Sequence, residues 1–196
     1  MTASSGIRFL PWIGDHYFKG GFGGYKILLL GESHYSDTPD DRDNPELTRM
    51  IVAHYALGPK PHRYFSILSA LVAGAARPRN LTPAQQGHIW QSLCFYNYVQ
   101  DLLPAARRRP SPDMWKNAAQ PFAEILGELR PDILLVAGKQ LSWHIPALAE
   151  HIAALHITHP SAFGFSYTSA LAALNGQLPG GFTEARNAFM TDIAEG

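Results

Sequence analysis

The chain has 196 residues, of which 46% are hydrophobic and 16% charged, and this content excludes an intrinsically disordered protein. No long uncharged apolar run is present, so the sequence predicts no membrane span. Lys and Arg total 16, as do Asp and Glu, so any affinity for nucleic acid must come from a local basic patch.

Strands and helices alternate along the sequence. Apolar and β-rich runs predict strands at residues 26–30, 93–99, 132–137 and 154–158. Helical periodicity predicts helices at residues 45–57, 63–75, 83–91, 112–129, 140–152, 169–174 and 182–195. Thr82 and Ser111 each precede a proline and are predicted N-caps, and Thr183 is a third. The pattern predicts an α/β fold with three layers, α/β/α, around a central four-stranded parallel sheet.

Length and cysteine content set two further expectations. The length predicts a single domain, 1–196, in which residues 1–25 form an N-terminal arm. The single cysteine, Cys94, excludes an internal disulfide, an iron–sulfur cluster and a cysteine-rich zinc site. Because the first residues also lack the pattern of a signal peptide, we expect a cytoplasmic protein.

Polar residues follow the predicted strands, where parallel sheets bind their ligands. Glu32 and His34 come after the glycine that we expect to end the first strand, and a carboxylate at such a position points into the ligand crevice. The alternative is a glutamate that caps a turn beside a surface histidine. After the fourth strand, Pro160 disfavours helix at His159 and so holds its imidazole in one direction.

Asn97 and a run of arginines are two further candidates. The Asn97 amide carries a donor and an acceptor side by side, as reading the edge of a base requires, although a turn-forming role is equally consistent. Residues 107–109 are all arginine and form the only dense basic run. Phosphate binding is one interpretation of this run, and a solvated loop is the other.

The first of these motifs resembles the uracil-DNA glycosylase superfamily, and the resemblance extends over about residues 26–165. The segment Gly31-Glu32-Ser33-His34-Tyr35 is similar to the family's first motif. That motif reads Gly-Glu-Ala-Pro-Gly in the thermostable branch, so Glu32 matches its glutamate. It reads Gly-Gln-Asp-Pro-Tyr in another branch, so Tyr35 matches the tyrosine that excludes the methyl group of thymine.

Later segments continue the resemblance. Asn97-Tyr98-Val99-Gln100 is similar to the Asn-Val-Val-Lys stretch of the thermostable branch, where the asparagine reads uracil, and the arginine run before Pro110 resembles its Arg-Pro loop. His159-Pro160-Ser161 resembles the second motif, in which histidine stabilises the departing base and serine touches phosphate. Phe163 lies where another branch carries a leucine wedge that enters the duplex.

The resemblance implies hydrolysis of the N-glycosidic bond of a flipped uracil or other damaged base in DNA, single- or double-stranded, without cofactor or metal ion. A free nucleobase or nucleotide is the other implied partner. The expected catalytic residues are Glu32, His34 and His159. The expected base-binding residues are Tyr35, Phe95, Tyr96 and Asn97. The expected DNA contacts are Ser161, Phe163, Arg107, Arg108 and Arg109.

The first motif also departs from the family. Ser33 stands where one branch has a water-orienting aspartate, and His34 stands where both branches have proline. We therefore expect His34 to act as general base or proton donor in place of that aspartate.

Two other functions fit the same residues. One is a non-catalytic relative that binds a base, nucleotide or nucleic acid, which the departures and the zero net charge favour. The other is a serine esterase with Ser33 as nucleophile and His159 as base, because the first motif is also similar to the Gly-Asp-Ser start of a lipase and esterase family. That family has aspartate where this chain has His156, and Tyr35 breaks the Gly-x-Ser-x-Gly elbow.

Overall fold

The structure, a computed structural model, describes residues 6–36, 38–106 and 108–195. Its strands are β1 (Trp12–Ile13), β2 (Ile27–Tyr35), β3 (Leu93–Leu103), β4 (Ile133–Ala137) and β5 (Ala153–Ile157). Its α-helices are α1 (Leu47–Tyr55), α2 (Arg63–Ala73), α3 (Pro83–Gln91), α4 (Pro112–Asn117), α5 (Ala119–Leu129), α6 (Lys139–Ser142), α7 (Tyr167–Asn175) and α8 (Phe182–Glu195). The α/β class predicted from the sequence is confirmed.

The strands form one mixed sheet of five strands in the order β1-β3-β2-β4-β5. The strands β2 to β5 pair with one another in the parallel direction, whereas β1 pairs with β3 in the antiparallel direction. The prediction of a purely parallel four-stranded sheet is therefore corrected by an added edge strand from the segment predicted to be an arm. The strand β1 has only two residues, too few to show a periodicity in the sequence.

Alternating residues of the sheet enter two separate cores. Ile27 and Leu29 pack with residues of α2, α7 and α8, whereas Leu28 and Leu30 pack with residues of α4 and α5 on the other face. All four side chains are at most 1% exposed. Because successive strand residues point to opposite faces, an unbroken apolar run indicates a sheet covered on both sides. Helices accordingly cover the two faces of the sheet.

Prolines explain why two predicted helices differ from the observed ones. The predicted helix at 112–129 is divided at Ala118, because Pro121 has no N–H to donate to the carbonyl of Asn117 and its ring crowds that carbonyl. The predicted helix at 140–152 is observed only over Lys139–Ser142, and Pro146 has the same relation to Ser142.

Two of the three predicted N-caps are confirmed. The hydroxyl oxygens of Thr82 and Ser111 accept hydrogen bonds from the backbone N–H three residues later, and each position shows a capping box. Thr183 instead lies inside α8, which begins at Phe182. The glycine and the aromatic residue that precede Thr183 do not show whether this threonine lies at the N-cap or inside the helix. That depends on where the helix packs against the rest of the protein.

The strand β2 continues past Gly31 instead of ending there. Gly31 pairs with Asn97, Ser33 pairs with Val99, and the register shifts between Ser33 and Tyr35. The residues expected to lie in a turn are therefore held as extended strand against β3. An irregularity of this kind re-aims the side chains that follow it, here that of His34.

None of the helices among the described residues has both the length and the apolar content needed to cross a bilayer.

Candidate functional site

The site lies where the parallel part of the sheet reverses its order. From β2 the chain passes to β3 on one side and then to β4 on the other. In such sheets, ligands bind in the crevice outside the carboxyl ends of the strands at the point of reversal. The pairing of β2 with β3 brings Gly31 beside Asn97 at the level where the neighbouring strand β4 ends, and Gly138 follows β4.

Three side chains converge on Gly31. A Cβ at this residue would lie 2.2 Å from Asn97 Oδ1, 3.1 Å from Phe95 Cζ and 3.3 Å from the Tyr64 hydroxyl oxygen. The rings of Tyr64 and Phe95 meet edge to face with centroids 6.4 Å apart. Only glycine leaves room for the amide and the two aromatic rings to approach the backbone of β2 together.

Asn97 is held by a buried histidine. Its Nδ2 lies 3.1 Å from His34 Nδ1, and His34 Nε2 lies 2.8 Å from the hydroxyl oxygen of Thr48. Asn97 is 5% exposed, His34 4% and Thr48 0%. Burial lowers the pKa of His34 to about 4, so its ring is neutral at physiological pH. The Asn97 side chain is therefore fixed by a network that β2, β3 and α1 build together.

Glu32 contributes the negative charge of the site. Its side chain is half-buried, and burial raises the pKa of its carboxyl above the usual value while the nearby Arg109 guanidinium opposes that rise. Arg109 donates a hydrogen bond to Gln140 at the start of α6. Burial and then the charge of Glu32 raise the pKa of the Tyr64 hydroxyl. Glu32 thus lies within electrostatic reach of both Arg109 and Tyr64.

His159 approaches the same tyrosine from the loop after β5. Its ring centroid lies 5.2 Å from that of Tyr64 with the planes tilted by 32°. The backbone N–H of Ser161 donates to His159 Nδ1 at 3.1 Å, which leaves Nε2 as the protonated nitrogen of the neutral ring. Burial lowers the pKa of His159, so this neutral form is favoured at physiological pH.

Tyr64 is the residue that the sequence analysis missed. It contacts His159 and Phe95, its hydroxyl lies over Gly31, and it feels the charge of Glu32. Asn97 and His159, which are distant along the chain, are thus brought beside one aromatic ring, and Glu32 lies within electrostatic reach of it. The only signal in the sequence is an aromatic residue that starts a helix after the proline-rich loop at 58–61.

The predicted base-binding aromatics fall in three different environments. Phe95 is 2% exposed and lies at the base of the site beside Gly31. Tyr35 is 59% exposed at the end of β2. Tyr96 is fully buried and belongs to the core on the other face of the sheet, so its inclusion is corrected. Neighbouring strand residues alternate between faces, and Tyr96 therefore points away from Asn97.

The predicted DNA contacts lie at the surface. Ser161 is exposed, and Phe163 is 108% exposed in the loop that also carries His159. Arg108 and Arg109 are exposed before α4. Arg107 lies outside the described residues.

The described part of the chain contains no cluster of three or more His, Cys, Asp or Glu side chains arranged to hold a metal ion.

No protein-family model matches the chain, and no curated protein sequence is significantly similar to it.

We predict that Gly31→Ala destabilises the protein by about 1–3 kcal/mol, because the added methyl group would overlap the Asn97 amide that His34 holds in place. Gly87→Ala is the matched control, since a Cβ there meets no atom within 4 Å and residue 87 lies inside α3. The control should leave stability unchanged or raise it by up to about 1 kcal/mol. Urea unfolding measures both, and equal stability of the two variants would contradict the contact at Gly31.

We predict that His34 makes stability fall with acidification. Its pKa is about 4 in the folded protein and near 6.5 in the unfolded chain, so the unfolded chain binds more protons between these values. Its contribution is fully present above about pH 6.5, and roughly 2 kcal/mol of it is lost by about pH 5.

Urea unfolding at these two pH values checks the effect. His34→Gln should remove about 2 kcal/mol of the pH dependence, whatever its effect at neutral pH. His88→Gln, at an exposed histidine of α3, should leave the pH dependence unchanged. An identical pH dependence in the two variants would show that His34 titrates normally.

Proposed function

We propose that this protein is a DNA glycosylase of the uracil-DNA glycosylase type, which hydrolyses the N-glycosidic bond of a flipped uracil or other damaged base. One observation carries the proposal: Asn97 and His159 lie beside Tyr64 at the level where β4 ends, and Glu32 is close enough for its charge to raise the pKa of the Tyr64 hydroxyl. These are the residues for which the resemblance implies acid–base, base-reading and leaving-group roles. The arrangement supplies the three kinds of group that the reaction needs.

Breaking the glycosidic bond builds positive charge on the sugar and negative charge on the base. The Glu32 carboxylate offsets the first charge and positions the attacking water. The Nε2–H of neutral His159 donates to the base oxygen that gains the second charge. Both groups are partly shielded from water, which strengthens these interactions.

The proposed position of the flipped base is beside Tyr64 and His159, and the base reaches the Asn97 amide only when Tyr64 moves away from Gly31. Phe95 and Tyr64 supply apolar ring surfaces beside it, and Asn97 supplies paired hydrogen-bonding atoms. Tyr35, exposed at the rim, covers the base from the outside in this arrangement.

The surface around the site supports an approach by DNA. Phe163 projects fully into solvent two residues beyond Ser161, as a wedge that enters the base stack must do. Ser161 and the arginines at 107–109 are the proposed phosphate contacts, of which Arg108 and Arg109 are exposed. These contacts offset the few kcal/mol that base flipping costs.

His34 takes a different role from the one expected from the sequence. Its Nδ1 lies against Asn97 and its Nε2 against Thr48, and it is 4% exposed. A ring so enclosed has no free nitrogen for water, so Glu32 alone is the candidate water-activating residue. His34 instead positions Asn97.

The enclosure of His34 favours a second candidate function, that of a protein that binds a nucleobase or nucleic acid without hydrolysing it. With His34 enclosed and Ser33 in place of an aspartate, the site has one carboxylate to activate water. The serine esterase interpretation has less support. Ser33 lies inside β2, paired with Val99, whereas a nucleophilic serine needs a sharp exposed turn.

The test is single-turnover release of base from single-stranded oligonucleotides that contain uracil or hypoxanthine. We expect release by the intact chain, and a loss of about 100-fold or more in Glu32→Gln, Asn97→Ala and His159→Ala. His88→Gln, on the exposed face of α3, should retain the full rate. Tight binding of the oligonucleotides without release would support the binding protein, and release unaffected by the site variants would refute the proposed site.

We predict that Phe163→Ala weakens base release from double-stranded DNA more than from single-stranded DNA, by about tenfold, because only the duplex must be opened. Phe18→Ala is the matched control. Phe18 is 62% exposed. The hydroxyl of its neighbour Tyr17 donates a hydrogen bond to the Leu129 carbonyl, just before β4 begins, so Phe18 lies near the amino-terminal ends of the parallel strands and away from the candidate site. Equal effects of the two variants on duplex substrates would exclude the wedge.

A further inference from the structure

Trp143 presents its indole ring to solvent just after α6. Its side chain is 72% exposed, whereas Trp90 and Trp115 are buried and Trp12 is partly buried. An aromatic surface of this size is seldom left in water, because burying it is strongly favourable. The exposed ring is therefore a candidate contact for a partner molecule.

The backbone on both sides of Trp143 is anchored. Leu141, two residues before it, is fully buried in the core. The His144 ring, next in the chain, stacks on buried Trp115 with centroids 4.1 Å apart and planes 8° apart. The Tyr98 hydroxyl also donates a hydrogen bond to the His144 carbonyl oxygen at 2.9 Å. The indole is thus held outward by fixed neighbours, so little ordering is needed when a flat ligand stacks on it.

Two cations lie around this ring. Trp143 has helical backbone angles as the C-cap of α6, so Lys139 and Gln140, four and three residues earlier, lie on the same side of the helix. Lys139 is exposed. Arg109, exposed before α4, donates a hydrogen bond to the Gln140 side chain. The Trp143 patch consists of these four residues, Arg109, Lys139, Gln140 and Trp143.

The Trp143 patch adjoins the candidate site. The helix α6 begins directly after Gly138, where a Cβ would lie 3.9 Å from the Cβ and Cδ2 atoms of His159. Burial raises the pKa of the Glu32 carboxyl, and Arg109 is near enough to oppose that rise. Trp143 lies five residues beyond Gly138, which is about 7 Å along a helix. That length matches about two nucleotides at the spacing of about 3.4 Å in one DNA strand.

The chemistry of the Trp143 patch fits an unpaired strand of nucleic acid. Every base has a flat face that stacks on an aromatic ring, and removing one such contact weakens binding by roughly 5- to 150-fold. The phosphates that link the bases carry the charge that Lys139 and Arg109 complement. In a duplex the bases already stack on one another, so their faces are not free for Trp143.

We propose that the Trp143 patch binds the unpaired strand next to the flipped base, with the indole stacked on a neighbouring base and Lys139 and Arg109 on the adjoining phosphates. This inference rests on the proposed function and extends the bound DNA beyond the base that is removed. Phe163 acts where a duplex is opened, whereas Trp143 holds the strand that is already single.

Tryptophan fluorescence measures the stacking directly, in a titration with a single-stranded oligonucleotide that contains only thymine bases. We expect quenching in the intact chain and none in Trp143→Leu. Anisotropy of a labelled copy measures affinity, which should fall about tenfold in Trp143→Leu and stay within about threefold in Trp143→Tyr, which keeps an aromatic face. Phe18→Ala, at a distant exposed ring, should leave affinity unchanged. Unchanged affinity in Trp143→Leu, or equal loss in all three variants, would overturn the proposal.

The salt dependence of the same binding tests the cations. Lys139→Gln should reduce the slope of log affinity against log salt by about 0.7, the value for one phosphate contact on a single strand. Lys19→Gln, at an exposed lysine beside Phe18, should leave the slope unchanged. Equal slopes in the two variants would refute the phosphate contact of Lys139.

Two further outcomes separate this proposal from its alternatives. Loss of self-association in Trp143→Leu at unchanged oligonucleotide affinity, measured by sedimentation, would assign the patch to contact between copies of the chain and refute the proposal. Quenching that depends on Trp143, without release of base from uracil oligonucleotides, would refute the glycosylase activity alone. Base release that is the same in Trp143→Leu, with unchanged affinity, would refute the Trp143 patch alone.

Discussion

The parallel pairing of β2 with β3 beyond Gly31 is the constraint on which the candidate site depends. It places Asn97 directly beside a residue without a side chain, so the amide lies within 2.2 Å of the position that a Cβ would occupy. Tyr64 and Phe95 fill the remaining space above the same backbone atom. A slip of one residue would turn Asn97 into the opposite core, so register and site are inseparable.

Burial gives the site its chemical character. His34 and His159 are both shielded enough that the neutral forms are favoured, and the Ser161 N–H that donates to His159 Nδ1 assigns the proton of that ring to Nε2. Glu32 is shielded less and is balanced by Arg109. The result is one half-buried carboxylate, opposed in charge by Arg109, and two histidines held in their neutral forms.

The elements with strong local signals were predictable. The apolar runs marked the four long strands, and the Thr-Pro and Ser-Pro pairs marked two helix starts, because these signals involve neighbouring residues. Strand β1 escaped detection because it is defined by its pairing with β3, Trp12 with Phe95 and Ile13 with Cys94, and two residues show no periodicity of their own. The breaks in the predicted helices near Pro121 and Pro146 could have been predicted from the sequence, because each proline conflicts with a carbonyl only four residues before it.

The sequence by itself determined the class of fold and predicted Glu32, Asn97 and His159 as site residues, of which the structure brings Asn97 and His159 beside Tyr64. Only the tertiary structure assigned their relations. It brought Tyr64 from α2 to the centre, enclosed His34 between Thr48 and Asn97, and turned Tyr96 away. The reason is physical: periodicity and turn chemistry act between neighbours, whereas burial, tautomer and contact arise from segments that are distant along the chain.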